Sequence, residues 1–479
     1  MVMDSGRWRA PAAQGPVRAT LRLPGSKSIT NRALILAALS DSPSVVRGVL
    51  KARDTSLAVG ALQALGCTVI SRGDAPPSPP MSARAGLIAK TAIVSGPPEQ
   101  TAVPGEPALA GPDDIVITPL GEQTSTPSGS AVSVDVGNAG TVMRFLPAVA
   151  ALTPASVAFD GDPRARERPI GALLSALRAL GVSIEDDGRG ALPFTVHGTG
   201  SVPGGPVMLD ASGSSQLVSG LLLAAPRFTE GVEVRHSGPP VPSLPHIEMT
   251  VRMLRGAGAS VEVGAGARPD HWVVRPGRLN LGDFTVEPDL SNAGPFLAAA
   301  LVTGGSVTIR DWPTASLQAA DAILDVITQM GGSISHGDSG LTVTGSGVIN
   351  GISADLRDIP ELCLPLTSVA ALASGPSTFT GVAHTRAQET DRLAAIAKEI
   401  NALGGDVTEL PDGLSVKPRP LRAPANHAFE SYDDHRMVMA GAVLGLGVPG
   451  IEVLNVATVG KTFPDFTTLW EGLVRGDAS

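Results

Sequence analysis

Leu23-Pro24-Gly25-Ser26-Lys27-Ser28-Ile29-Thr30-Asn31-Arg32 is the stretch from which the rest of the chain can be read. Ahead of it, Val17, Ala19, Leu21 and Leu23 alternate with polar residues, the period of a half-buried strand. Pro24 and Gly25 end that strand. Behind it, Ile29, Ala33, Leu36 and Ala37 recur at helical spacing in a run continuing to Leu39, so Lys27 and Ser28 fall where a helix begins. Free N–H groups and the positive end of the dipole make such a start an anion site. Arg32, four residues after Ser28, is expected on the same face. A hydroxyl, an ammonium and a guanidinium would then converge, as a phosphate or carboxylate requires. The alternative is a capped surface helix with solvated charges.

Outward from this stretch, one pattern returns five times: an amphipathic helix, a glycine stop and a short strand. The glycines are Gly66, Gly181, Gly258, Gly331 and Gly404, separated by 115, 77, 73 and 73 residues. Glycine suits the left-handed position just past a helix, and a recurring period means a repeated unit, here longer than a solenoid repeat. The first gap is too long by roughly 40 residues if the later period holds. The excess lies in 73–130, rich in Pro, Ser, Gly and Ala, and is read in part as an inserted loop. A sixth unit would straddle the termini, with the last helix, 463–474, returning to the strand 17–23. Short β-branched strands at 157–159, 232–234, 261–263, 307–309 and 341–343 alternate with Ala- and Leu-rich helices, which predicts an α/β protein.

Bulk composition narrows the function. The 479 residues suffice for two to four domains, and 43% hydrophobic with 17% charged residues means a globular chain. A net charge of −9 argues against nucleic acid but leaves room for a basic cleft that collects small anions. Cys67 and Cys363 sit singly in apolar patterns, so neither a disulfide framework nor a metal site is expected and a cytoplasmic setting is. The first 16 residues lack the apolar run of a signal peptide, and no apolar stretch reaches membrane-spanning length.

Further polar clusters stand at helix openings. Gly137-Asn138-Ala139-Gly140-Thr141 precedes the helix 142–152, and its glycines let a backbone approach a ligand. Arg164, Arg166 and Arg168 precede Pro169 and the helix 170–180. Ser212-Gly213-Ser214-Ser215-Gln216 opens the helix 217–225, as caps or as phosphate donors. Glu389 and Arg392, three apart at the opening of 393–403, share a face, either as a surface ion pair or as part of a site. Asp433-Asp434-His435-Arg436 precedes 437–446, and Lys461-Thr462-Phe463-Pro464-Asp465 opens the final helix. Lys27, Arg436 and Lys461 are thus cations at helix starts, where the dipole opposes them. Convergence on a multiply charged anion would explain all three.

Taken in order, 23–32, 137–141, Arg166-Glu167-Arg168-Pro169-Ile170, Ser214-Ser215-Gln216, 389–393, Asp434-His435-Arg436-Met437 and 461–465 resemble the EPSP synthases (3-phosphoshikimate 1-carboxyvinyltransferases). The seven segments span essentially the whole chain outside 73–130. The resemblance implies a two-domain, inverse α/β barrel-like fold, each domain being three βαβαββ units around a pseudo-threefold axis. One domain would be 24–285 with its insertion within 73–130. The other would be 1–23 plus 286–479, with the active site in the cleft between them. The implied reaction moves the enolpyruvyl group of phosphoenolpyruvate to the 5-hydroxyl of shikimate 3-phosphate and releases phosphate through a tetrahedral intermediate. It needs neither cofactor nor metal, and a monomer is expected to suffice.

By this likeness Lys27 touches both substrates. Ser28, Arg32, Ser214, Ser215, Gln216, Ser243 and Gln388 hold shikimate 3-phosphate. Asn138, Gly140, Arg168, Gln216, Arg392, Arg436 and Lys461 hold phosphoenolpyruvate. Glu361 matches the carboxylate that takes the hydroxyl proton, and Glu389, with Lys27 assisting, the group that moves protons at the vinyl carbon. Partial burial would keep Glu389 useful as an acid. His384 and His435 are expected behind the substrates. Three positions depart from the family's usual residues: Gln388 stands for Lys or His, His384 for Asn or His, and His246 for a Tyr near the shikimate ring. Glyphosate, a phosphoenolpyruvate analogue, should compete because Gly140 leaves it space. The competing readings are the sister transferase acting on UDP-N-acetylglucosamine, which usually carries Lys-Asn at the first site and a loop cysteine, and a silent anion-binding paralogue.

Overall fold

The computed structural model describes residues 6–71, 113–121, 131–425 and 427–477. One scheme recurs through it. Strand Ala131–Asp135, helix Gly140–Ala150 and parallel strand Ser156–Asp160 are followed by helix Gly171–Ala179 and the antiparallel strands Ser183–Glu185 and Phe194–His197. The same order repeats from Gly205–Leu209 to His271–Val274 and from Ser353–Asp355 to Gly413–Lys417. Two further sheets are completed from a distance. Asp283–Thr285 runs parallel to Ser44–Arg47, and Arg18–Leu21 runs parallel to Ser306–Ile309. The backbone therefore crosses between two halves twice, just after Leu21 and just after Thr285.

The crossings lie side by side. Ser26 N–H donates to Glu287 O at 2.8 Å and Asp289 N–H to Pro24 O at 2.9 Å. Gly25 is required there, because a Cβ on it would fall 2.1 Å from Gly48 O. Apolar burial follows the same division. One cluster runs from Ile29 to Val286; the other joins Trp8 to Leu23 with Leu290 to Leu473.

All five expected glycine stops have left-handed backbone, with φ between 92° and 107°. A sixth, Gly476 (φ 83°), ends the helix Phe466–Arg475 at nearly the same spacing after Gly404. The terminal unit does close through the N-terminus, but not through 17–23. Its strand Glu452–Leu454 pairs antiparallel with Arg7–Arg9, and Phe429 bridges Val453 in parallel. A three-residue strand with one apolar side chain is too short to show a period; Trp8 is buried instead by the end of the chain, donating its indole N–H to Glu471 Oε1 at 2.9 Å. The strand 17–23 is claimed by the Ser306–Ile309 sheet, where Val17 and Leu21 are buried. Of the 73–130 excess, residues 113–121 are described; Ile115–Thr118 is a strand between Ser44–Arg47 and Thr68–Ser71. The rest of the expected insertion lies outside the described residues. No described helix is long and apolar enough to cross a membrane.

Six helices are buried almost all round: Lys27–Ala38, Gly140–Ala150 and Gln216–Ala224 in one half, Leu290–Thr303, Cys363–Ala371 and His435–Gly447 in the other. Helices apolar on every face belong inside a core. The first residues or caps of five of them, and Glu361 just ahead of Cys363–Ala371, line one cavity between the halves. Six N-terminal ends, each carrying partial positive charge, thereby meet in one place.

Candidate active site

The cavity draws on both halves. Lys27 and Ser28 come from the first helix, Gly140 from the helix after the 137–140 turn, and Ser214, Ser215 and Gln216 from a third helix start. Ser243 caps the helix Leu244–Gly256 from a left-handed conformation (φ 52°), and its N–H crosses the cleft to Arg357 O at 3.0 Å. The opposite wall carries Glu361, His384, Gln388, Glu389, Arg392, His435 and Arg436. Arg164 spans the halves outside this wall, donating to Gln388 O at 3.2 Å and Arg386 O at 3.4 Å.

Glu389 is the centre of charge. Lys461 Nζ lies 3.0 Å from its Oε1 and Arg392 Nη2 3.1 Å from its Oε2, all three side chains being under a tenth exposed. The surface ion-pair alternative for Glu389 and Arg392 is thereby excluded. Burial opposes ionisation of Glu389, but Lys461, Arg392 and Arg168 outweigh it and hold its carboxyl well below the usual range. Burial was expected to preserve an acid here; the surrounding cations win instead. Arg392 is itself shared with Asp434, which accepts from Nε at 2.8 Å and Nη2 at 3.2 Å and also caps Arg436 N at 2.8 Å. Gln388 Oε1 accepts from Arg392 Nη1, so the amide helps to aim the guanidinium.

Glu361 behaves likewise. Burial raises its proton affinity, while His246, a backbone N–H, Arg436 and Arg392 lower it further, leaving a net depression. His384, pushed down to about 4 chiefly by burial, is neutral beside it, and its Nε2 is buried without a partner. Burial also keeps His435 neutral.

Four buried guanidiniums, Arg32, Arg144, Arg168 and Arg436, have no carboxylate within ion-pair distance among the described residues. Arg168 Nη1 donates to Asn138 O and Oδ1, both at 2.8 Å, and Arg436 to Ser291 O at 2.8 Å and Ser291 Oγ at 3.0 Å. Arg144 Nη1 donates to Gln216 Oε1 at 2.9 Å, and burial lowers its pKa to about 9. An unpaired buried charge is costly. Three of the four line the cavity, which is what an anion site offers before its anion arrives.

Two expectations need correction. Arg32 does not join Lys27 and Ser28 at the cavity; it donates to Thr250 Oγ1 at 2.7 Å, Ser28 O at 2.9 Å and His246 O at 3.0 Å, and packs over the Phe145 ring. Sharing a helix face did not bring it to the same spot, because the long side chain is captured by polar groups on the neighbouring helices. Lys461 does not open a helix. It ends the 3-10 turn Val456–Lys461, five residues before Phe466, and reaches Glu389 and, at 3.1 Å, Asn138 O. Asn138 accordingly works as a bracket behind the wall.

Sequence reading missed Arg144, Asp54 and Asp289. Arg144 stands four residues after Gly140 on one helix face, a signal hidden in an apolar run. Asp54 pairs with Lys27 Nζ at 3.2 Å, and Asp289 accepts from Lys27 N at 3.1 Å while capping Asn292 N at 3.0 Å. Cys67 and Cys363 are buried, their thiols pushed up to about 12 by burial, and neither lines the cavity.

Fold and cavity together define a two-domain α/β enzyme whose cleft is lined by cationic side chains, helix N-termini and two carboxylates. The comparisons agree. The family model for EPSP synthase (3-phosphoshikimate 1-carboxyvinyltransferase) matches residues 11–75 and 110–470. A 3-phosphoshikimate 1-carboxyvinyltransferase of Kocuria rhizophila is 47% identical over 98% of this chain and 97% of its own. An EPSP synthase structure from Acinetobacter baumannii has the same fold at TM-score 0.73, with 22% identity over 99% of this chain and 98% of that one. A second structure from that organism gives 0.71 at 22% identity, covering 97% and 98%. The chain belongs to the EPSP synthase family, and it is an enzyme of that kind acting on small molecules.

Proposed function

We propose that the cavity residues transfer the enolpyruvyl group of phosphoenolpyruvate to the 5-hydroxyl of shikimate 3-phosphate. The observation that carries this division of labour is the trio Arg144, Arg168 and Arg436, buried around one cavity with no carboxylate partner among the described residues. Arg168, Arg392, Arg436 and Lys461 would hold phosphoenolpyruvate beside Gly140, with Asn138 bracing Arg168 and Lys461. Ser28, Ser214, Ser215, Gln216 and Ser243 would hold shikimate 3-phosphate, with Gln388 as a neutral donor and Arg32 supporting the wall. Lys27 would lie between the two. Each charge-assisted hydrogen bond contributes about 1.5–3 kcal/mol, and arginine forks also orient the anion.

Glu361 is the base for the acceptor hydroxyl and Glu389 the acid for the vinyl carbon. Lys461, Arg392 and Arg168 favour the ionised form of Glu389. Bringing in phosphoenolpyruvate supplies anions that compete for Lys461 and Arg392, so the substrate itself raises the proton affinity of Glu389. Returning the proton to Glu389 from the tetrahedral intermediate then expels phosphate. The cavity holds only about 100 Å³, well under an ordinary ligand pocket, so the halves part to admit substrates and close to exclude water. The two apolar clusters support domains of 24–285 and of 1–23 plus 286–479. A cavity built wholly from one chain supports a monomer, and two free buried thiols are compatible with reducing cytoplasm.

Gly140→Ala tests the phosphoenolpyruvate side. The new Cβ would fall 2.6 Å from Arg168 Nη2, 3.0 Å from Arg144 Nη1 and 3.1 Å from Gln216 Oε1, all ends of flexible side chains. Folding should be unaffected, KM for phosphoenolpyruvate should rise about ten-fold, equivalent to about 1.4 kcal/mol, and glyphosate should inhibit less. Coincident inhibition curves for parent and variant would remove Gly140 from this wall. The reaction itself is tested by phosphate release from phosphoenolpyruvate with either shikimate 3-phosphate or UDP-N-acetylglucosamine. Release with the first alone is expected; release only with the second, or with neither, would overturn the reading.

A further inference from the structure

Glu361 and His246 meet across the cleft. Glu361 belongs to the 3-10 turn Pro360–Leu362 of one half, His246 to the first turn of Leu244–Gly256 in the other, and Nε2 lies 3.6 Å from Oε1. The pair also forms a partition. On one face it lines the main cavity; on the other, both residues line a second cavity of about 30 Å³, enough for a water or two. Ser28, Ser291 and Gln318 give that side cavity polar walls, and Asp358, whose side chain is 44% exposed, stands at its rim. Buried cavities with several polar partners are where waters settle. His246 is anchored by its main chain, its carbonyl accepting from Arg32 Nη2 at 3.0 Å and Thr250 Oγ1 at 2.9 Å. No hydrogen bond to a described residue ties down its ring.

The reaction proposed above uses neither His246 nor this cavity, yet it leaves a proton on Glu361 that must depart before the next turnover. We propose that His246 is the exit for that proton and the side cavity its way to solvent, an inference that rests on that reaction. As the acceptor oxygen bonds to C2 of phosphoenolpyruvate, its O–H bond breaks and the Glu361 carboxylate takes the proton. The proton passes to the neutral imidazole and from the imidazolium to water; the departing phosphate takes one proton from solvent, so the sum is balanced. Burial holds His246 below its ordinary pKa, and Arg32 and Lys27 add to this against the opposing pull of Glu361 and Asp289, so the ring starts neutral and releases a proton readily. Arg436 and Arg392, facing Glu361, likewise favour its return to carboxylate. The 3.6 Å gap is longer than a hydrogen bond, but catalytic contacts of this kind tighten in the substrate complex.

The test compares the parent with His246→Gln and His246→Ala in phosphate release with shikimate 3-phosphate, with substrate binding followed by calorimetry. Both variants should bind both substrates within about three-fold of the parent and lose about 10²-fold in kcat, the order of a lost proton-transfer group. Added imidazole should restore His246→Ala and leave Glu361→Gln inactive. Parental kcat in His246→Gln would overturn the relay while leaving the reaction standing. So would a loss of rate explained by weaker acceptor binding and indifferent to imidazole, which would make His246 a contact only. A parent that releases no phosphate would overturn the reaction and the relay together.

Discussion

Glu389→Gln is expected to lower kcat by about 10²–10⁴-fold, the range for removing a positioned acid–base group, with little change in phosphoenolpyruvate binding. Lys461 and Arg392, 3.0 and 3.1 Å from the carboxylate, keep an amide partner of the same shape. A substitution that removes one negative charge beside an anionic substrate does not weaken its capture, so the loss should fall on kcat rather than KM. Steady-state phosphate release separates the two; an unchanged kcat would take the proton transfer away from Glu389. The same variant carries a pH signature. In the folded protein Lys461 and Arg392 hold the Glu389 carboxyl well below its ordinary value of 4.5. A depressed carboxylate contributes stability that is present above the unfolded pKa and lost as pH falls through the folded one. The gap in unfolding midpoint between parent and Glu389→Gln should therefore be widest at neutral pH and shrink as pH falls below about 4.5. A gap that widened in acid would contradict the cationic environment described for this carboxylate.

Asp434→Ala is the substitution expected to cost most stability. Asp434 is fully buried, pairs with Arg392 through two nitrogens and caps the helix His435–Gly447 at Arg436 N. Removing one partner of a buried pair leaves the other charge uncompensated, at about 3–5 kcal/mol, and loss of the cap adds about 1 kcal/mol. Thermal or urea unfolding should show the second half giving way early. Phosphoenolpyruvate should stabilise the variant more than the parent, since it returns an anion to Arg392. Asp434→Asn, which keeps a capping oxygen, should lie between the two. A variant as stable as the parent would mean that Glu389 alone suffices to hold Arg392.

How much of this was legible depended on whether the signal was local. The helix–glycine–strand stops could be read because a left-handed residue after a helix favours glycine whatever surrounds it, and all five expected positions have that backbone. Gly476 and the strand Arg7–Arg9 escaped because the last unit is split between the chain ends, so no contiguous window holds its pattern. Lys27, Ser28, Gly140, Arg168, Gln216, Glu361, Glu389, Arg392 and Arg436 were all named from helix openings or family likeness, and all line one cavity. Arg144 was hidden because an arginine within Val142-Met143-Arg144-Phe145-Leu146 looks like an interruption of a core stripe rather than a charge aimed at a ligand.

The sequence by itself determined the repeated αβ unit, the helix starts that gather anion-binding groups and the family to which they belong, because these rest on backbone conformation and on short contiguous patterns. Only the tertiary structure decided which charges are partnered. Arg32 is drawn behind the wall by groups 214 and 218 residues away in sequence, Lys461 reaches Glu389 across 72 and Asn138 across 323. Whether Glu389 holds a proton follows from the same distances. Coulomb energy and desolvation depend on separation and burial in three dimensions, and neither can be read from the spacing of residues along a chain.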